Sequence, residues 1–174
     1  MAPAMAERRP PLVLERDYNI VPVSRAQGQM PATLLALIKS ANVAFGVIEP
    51  EARIRERALK TICDEPGFAL VAVARTGEPY ALIICRFVSH VAIVTDIAVN
   101  PKHRGRGIGT RLLSAALTRS RESGCTMIHV CIGSTSNERA IAWLSKLGFN
   151  PSTETSFQYT RDVHFFLHTR TSGA

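Results

Sequence analysis

The sequence predicts a mixed α/β domain (α+β), one mostly antiparallel sheet with helices on both faces. Three observations carry this. Three apolar runs at residues 68–75, 80–88 and 91–99 follow one another with only short turns between them, as an antiparallel meander does. Residues 91–132 then read strand, helix, strand, a unit that must cross over and so lays its two strands parallel. Helical periodicity appears before, within and after these strands, which places helices against the sheet rather than in a separate domain.

In chain order, residues 1–16 hold three prolines and mixed charge without an apolar stretch, and read as a flexible leader. A single domain is expected over 17–170. Residues 17–24 alternate weakly as a first strand, and Pro22 points to a sheet edge. Residues 31–45 carry Leu34, Leu35, Ile38 and Phe45 at helical spacing, with Gly46 as a stop. Residues 50–64 form a second helix whose stripe is Ile54, Ala58 and Ile62. Arg53, Arg55, Glu56, Arg57 and Lys60 are assigned to its wet face. Thr76-Gly-Glu-Pro79 turns the first strand of the meander into the second. Ile108, Leu112, Leu113, Ala116 and Leu117 stripe a helix over 108–123 that Gly124 ends. Residues 126–132 return as a strand, and 137–147 form the last helix, striped by Ala140, Ile141, Leu144 and Leu147 and capped by Gly148. Two strands close the domain at 157–160 and 163–169.

A net charge of +7 favours an anionic partner. Lys102, His103, Arg104, Arg106 and Arg111 crowd around Gly105, Gly107 and Gly109, so a local anion site accounts for them better than a nucleic-acid face. No apolar run reaches the ~18 residues of a membrane span, and a cytoplasmic protein is expected. Cys63, Cys85, Cys125 and Cys131 lack C-x-x-C spacing and support neither a zinc site nor a disulfide framework. Cys85 and Cys131 are expected to be small buried hydrophobes within strands.

The glycine-rich turn lies between a strand and a helix, where backbone N–H groups and the positive helix end converge on a phosphate. It is not a P-loop, because no Lys-Ser or Lys-Thr follows the glycines. Nor is it a dinucleotide fingerprint, because the spacing is G-x-G-x-G, the strand follows a meander, and the next strand carries no acid. Arg104-Gly-Arg-Gly-Ile-Gly109 matches R-x-x-G-x-G, and Asn137-Glu-Arg-Ala140 with Lys146-Leu-Gly-Phe149 forms an N-x-x-A…K-x-G-F segment. Together, in this element order, they resemble the GNAT superfamily of acyl-CoA-dependent N-acyltransferases.

The resemblance implies acetyl-CoA as cofactor and a sheet splayed at its central parallel strand pair, with the pantetheine in the gap. It implies that the backbones of Ile97, Ala98 and Val99 pair with the pantetheine. Arg104, Gly105, Arg106, Gly107, Ile108, Gly109 and Thr110 would cradle the pyrophosphate, with Asn137 and Ala140 beside the cofactor arm. Asn137 also suits a helix N-cap, and Trp143 suits either the core or a groove wall. The implied reaction is attack of an amine of a small molecule or peptide on the thioester, with the N–H of Ala98 or Val99 as oxyanion donor. Two family positions depart from the pattern. Leu144 stands where many members have a tyrosine acid, and Ile93 where some have a glutamate base. Asp96 is the carboxylate left on that strand, as base directly or through water, or else as an ammonium contact or structural hydrogen bond. Tyr159 is the substitute acid, and His90 and His129 read as turn and strand residues. No metal is expected, and many relatives are dimers, so the resemblance allows a homodimer. The contrasting reading is a non-catalytic acyl-CoA-binding regulatory module.

Overall fold

The computed structural model describes residues 17–23, 32–44, 49–64, 66–132, 138–151 and 163–168. The expected leader, the expected strand at 157–160, Asn137 and Tyr159 lie outside these residues. The described strands are β1 (Tyr18–Pro22), β2 (Gly67–Ala74), β3 (Pro79–Val88), β4 (Val91–Val99), β5 (Met127–Ile132), β6 (Asn150–Pro151) and β7 (Val163–His168). The helices are α1 (Ala32–Ala44), α2 (Glu51–Leu59), α3 (Ile108–Glu122) and α4 (Glu138–Lys146). A π turn over Lys60–Asp64 extends α2, and a 3-10 turn at Pro101–His103 follows β4.

The strands form one seven-stranded sheet in the order β1-β2-β3-β4-β5-β7-β6. Neighbours are antiparallel except β4 and β5, which the α3 crossover makes parallel. β1 lies at the edge, where Pro22 removes a ladder donor at little cost. The two-residue β6 has no counterpart among the elements expected from sequence; two residues are too few to show any periodicity.

Alternation splits the apolar residues of β2 and β3 between two cores. Phe68, Leu70, Ala72, Ala81, Ile83 and Cys85 pack with α3 residues Ile108, Leu112, Leu113 and Ala116 and with Leu144 of α4. Ala69, Val71, Leu82 and Ile84 pack on the other face against Leu34, Leu35, Leu37 and Ile38 of α1 and Ile54 and Ala58 of α2. Helices thus cover both faces. The α2 stripe is buried as its period requires, with Ile54 and Ala58 fully enclosed. Gly124 and Gly148 end α3 and α4 in the left-handed conformation, at φ 82° and 85°. In each case the next residue, Cys125 or Phe149, bonds back into the last turn, to Ser120 O and Leu144 O.

Candidate functional site

β4 is the strand on which the site is built. Ala92 and Val94 face the α3 side, and so do Ile97 and Val99, whereas Ala98 faces the α1–α2 side. Even-numbered residues therefore change faces partway along the strand. The switch is a β-bulge. Ile84 of β3 opposes Asp96 and Cys85 opposes Val94, so Thr95 is the extra residue. The bulge turns Asp96 toward α2.

At the same point β4 leaves β5. Their pairing runs from Val91↔Met127 to Val94↔Val130, and among the described residues no further pair forms, although both strands continue. Asn100 N–H bonds to Tyr80 O on the β3 side at 2.8 Å. Backbone groups alternate in direction along a strand, so Ala98 also addresses β3 while Ile97 and Val99 address the gap. Of the two donors expected for an oxyanion, Ala98 is thus turned away and Val99 is turned in. Val99 O already accepts from Arg104 Nε at 3.0 Å, which folds that guanidinium over the end of the strand.

The glycine turn closes the wide end of the gap. Gly105 and Gly107 have φ of 76° and 79°, a region costly for any residue with a Cβ, and a Cβ on either would meet nothing within 4 Å. Gly107 is the N-cap of α3, and Arg111 N–H is the first to bond back, to Gly107 O at 3.1 Å. The amides of Ile108, Gly109 and Thr110 are therefore left without an intrahelical acceptor. Trp143 Nε1 donates to Thr110 Oγ1 at 3.0 Å, so the threonine's own proton is directed elsewhere. Trp143 and Ala140 of α4 are half-buried against the α3-side core, and Gly109 lies beside Val99 and Trp143. The buried Nε–H of Arg106 meets no acceptor among the described residues, a donor left over at the turn. Open amides, an unmatched guanidinium donor and open space above two glycines fit a pyrophosphate.

On the α2 side, Arg57 links two acids. Its Nη1 donates to Asp96 Oδ2 at 2.5 Å and its Nη2 to Glu49 Oε2 at 3.0 Å, while Asn42 Nδ2 donates to the same Glu49 oxygen at 3.2 Å. Burial pulls the Arg57 pKa down, but the charges and hydrogen bonds of Asp96 and Glu49 outweigh it and the net shift is upward. Two carboxylates on one guanidinium leave a local excess of one negative charge in a strongly basic protein. Assigning Arg57 to the wet face of α2 is thus corrected. It adjoins Ala58 at the border of the buried stripe, and its long side chain reaches inward beneath β4. Glu49 joins this cluster although nothing in its sequence neighbourhood forms a motif.

Leu144 is 1% exposed and belongs to the α3-side core. Ile93 is half-buried and pairs with His129. Cys85 is fully buried, as expected, but Cys131 is exposed. Ile128, Val130 and Ile132 take the inward positions of β5, so alternation sends Cys131 to the other face. His90 lies in the turn between β3 and β4, whereas His129 does more than occupy a strand. Its Nε2 lies 2.9 Å from Nδ1 of His164. Burial, the neighbouring His164 and Arg86 lower its pKa. Among the described residues no group of His, Cys, Asp and Glu is gathered as a metal site requires, and no helix is long and apolar enough to cross a membrane.

A sheet parted at a parallel pair, with a helix N-terminus at the wide end of the gap, is an arrangement suited to holding a long ligand by its phosphates. The chain belongs to the acetyltransferase (GNAT) family, whose profile matches residues 34–149. The family uses acetyl-CoA. An uncharacterized N-acetyltransferase of Methanocaldococcus jannaschii is 33% identical over 93 residues, 49% of this chain and 40% of the relative. The chain thus matches less than half the length of that relative. Two solved structures share the fold. One is the ribosomal-protein-S18-alanine N-acetyltransferase of Escherichia coli, with TM-score 0.69 and 19% identity over 90% of this chain and 96% of the other. The other is the PaiA N-acetyltransferase of Thermoplasma acidophilum in complex with coenzyme A, with TM-score 0.68 and 16% identity over 87% of this chain and 98% of the other.

Proposed function

We propose that this protein is an N-acetyltransferase that moves the acetyl group of acetyl-CoA to a primary amine of a small molecule or peptide by direct attack. The observation that carries this reading is the parting of β4 from β5 beyond Val94 and Val130, directly below the unpaired amides of α3. The pyrophosphate would rest on the amides from Arg104 to Thr110, with Gly105 and Gly107 keeping the approach open. Arg106 and the Thr110 hydroxyl would add donors, and Ala140 and Asn137 would flank the arm. The Val99 N–H and the Ile97 C=O would pair with the pantetheine amides.

In the reaction, a neutral amine adds to the thioester carbonyl, and the N–H of Ile97, the slot-facing residue of β4 nearer the point where the strands part, stabilises the oxyanion. Asp96 is engaged by Arg57, so a proton gained there would weaken a short charged hydrogen bond. That favours Asp96, with Glu49, as a fixed negative charge that holds the incoming ammonium and offsets charge on the attacking nitrogen. Water then carries the proton away. Tyr159 remains the candidate to protonate the leaving thiolate.

The test is thiol release from acetyl-CoA with a panel of primary amines, alongside calorimetric titration of acetyl-CoA. Amine-dependent release is expected. Tight binding with no release on any amine would replace this reading with a non-catalytic acyl-CoA-binding module.

A further inference from the structure

Cys131 is the β5 residue immediately after Val130, the last to pair with β4, so it stands where the two strands part. It is exposed, on the face that also receives Asp96 from the bulge. Directly opposite it on β7 is His164. Side chains so paired have Cβ atoms about 4.5–5.5 Å apart, which puts an imidazole within reach of the thiol. His164 is in turn hydrogen-bonded to His129. The two rings stack with centroids 5.1 Å apart, and His129 stacks on Phe166 at 4.6 Å.

The dimensions of the gap place this group. From Val99 beside the glycine turn to Val94 at the closed end is five residues, about 16 Å of strand. That is comparable to the reach of an extended pantetheine. A donor held by its pyrophosphate at Gly105–Thr110, with its arm along β4, therefore brings its thioester past Val99 toward the point where the strands part, between Ile97 and Cys131.

We propose that Cys131 is an acyl-accepting thiol, acetylated by the acetyl-CoA bound in the slot when no amine is present. The inference rests on the reading of the slot as an acetyl-CoA site. His164 takes the thiol proton, and the Cys131 thiolate adds to the acetyl carbonyl. The new S–C bond forms as the bond from that carbon to the coenzyme A sulfur breaks. The coenzyme A thiolate leaves with the proton held by His164, so S-acetyl-Cys131 and coenzyme A are the products and no other reactant is needed. His129 is suited to assist. Its depressed basicity keeps it a neutral acceptor for a His164 N–H, so positive charge on His164 is met by a hydrogen bond. Among the described residues, Arg86 of β3, His168 of β7 and Asp96 of β4 with its partners Arg57 and Glu49 are the other charged or titratable groups on this sheet face. Cys85 differs in kind, since burial pushes its thiol up and leaves it inert.

The full chain is incubated with acetyl-CoA without an amine and followed by intact-mass measurement and peptide mapping. The expected result is one acetyl group on the peptide carrying Cys131, removed by hydroxylamine at neutral pH and formed at a rate that saturates with acetyl-CoA. Cys131→Ser should abolish it, and His164→Asn should slow it at least about tenfold. The proposal is overturned if protein shown by calorimetry to be saturated with acetyl-CoA carries no adduct. It is equally overturned if the adduct forms as fast in His164→Asn, or as fast from a simple acetyl thioester lacking the nucleotide. Absence of acetyl-CoA binding in the same titration would remove the proposed function as well, which separates the two failures.

Discussion

Replacing Arg57 by Met removes the cation that faces Asp96, and its effect on stability can be worked from the geometry. The Asp96 side chain is 5% exposed and its partner 35% exposed, with a 2.5 Å contact. Loss of one member of a fully buried pair costs about 3–5 kcal/mol, because the remaining charge is out of water without a counterion. Here about a third of the Arg57 side chain is exposed and the pair is partly screened, so about 2–3 kcal/mol is expected, near 4–12 °C in Tm for a domain of this size. Asp96→Asn should cost less, about 1–2 kcal/mol, because Arg57 keeps its bond to Glu49. In the double variant the Asp96 charge is gone and only the more exposed Glu49 lacks its cation, so the loss should fall short of the sum by about 1–2 kcal/mol. Urea denaturation of the four proteins gives this coupling. Additivity within about 0.5 kcal/mol would refute the reasoning, for it would mean that the pair behaves as an open surface contact. Steady-state kinetics of Asp96→Asn then separate its two possible roles. An anchor for ammonium raises KM for the amine with little change in kcat, whereas a base lowers kcat at every amine concentration.

The glycine turn offers a paired comparison. Gly107→Ala puts a Cβ at φ 79° at a cost of about 1–2 kcal/mol and should weaken acetyl-CoA binding. Gly109→Ala keeps a helical conformation and places its methyl at contact distance from Val99 and Trp143, 3.4 and 3.8 Å, so its melting temperature should hold or rise. Thermal melts showing equal losses would contradict the assignment of strain to Gly107. His129 and His103 both have depressed pKa values in the folded protein, with burial the first cause in each. The unfolded chain therefore binds protons that the folded chain does not as pH falls below the ordinary histidine value of 6.5, and stability present above that pH is lost below it. His129→Gln should reduce the slope of stability against pH below 6.5 by up to about 1.4 kcal/mol per pH unit. An unchanged slope in urea denaturation between pH 5 and 7.5 would show that His129 is not responsible.

Features that repeat along the chain were legible in the sequence. Ile54, Ala58 and Ile62 mark the buried side of α2 because a helix returns to the same face every three or four residues. Positive φ at Gly105 and Gly107 accounts for glycines in an otherwise basic turn. Single contacts between distant elements left no such trace. Arg57 and Asp96 are 39 positions apart, and their meeting depends on how α2 lies across β4. Cys131 reads as buried from sequence because β5 is a nearly continuous apolar run, MIHVCI, in which composition hides the alternation that burial restores. The His129–His164 contact likewise needs β7 beside β5, a neighbour relation that skips over α4 and β6.

The bulge at Thr95 explains why the cleft and the charged cluster occur together. Burial along β4 alternates without interruption from Val91 to Val99, so the strand looks regular even where its faces exchange. An extra residue on one strand of a pair sharpens its twist. β4 can stay in register with β3, which pairs on both sides of the bulge, only by turning away from β5, and the parallel pairing ends at Val94. The same extra residue reverses the phase of every later position on the strand. Without it, Asp96 would point with Val94 into the apolar core under α3, where a carboxylate would have no cation. With it, Asp96 meets Arg57, and Ile97 and Val99 direct their backbone groups into the space that β5 has left. A regular β4 could supply neither the opening nor the charge beside it, so both halves of the candidate site depend on one unpaired residue.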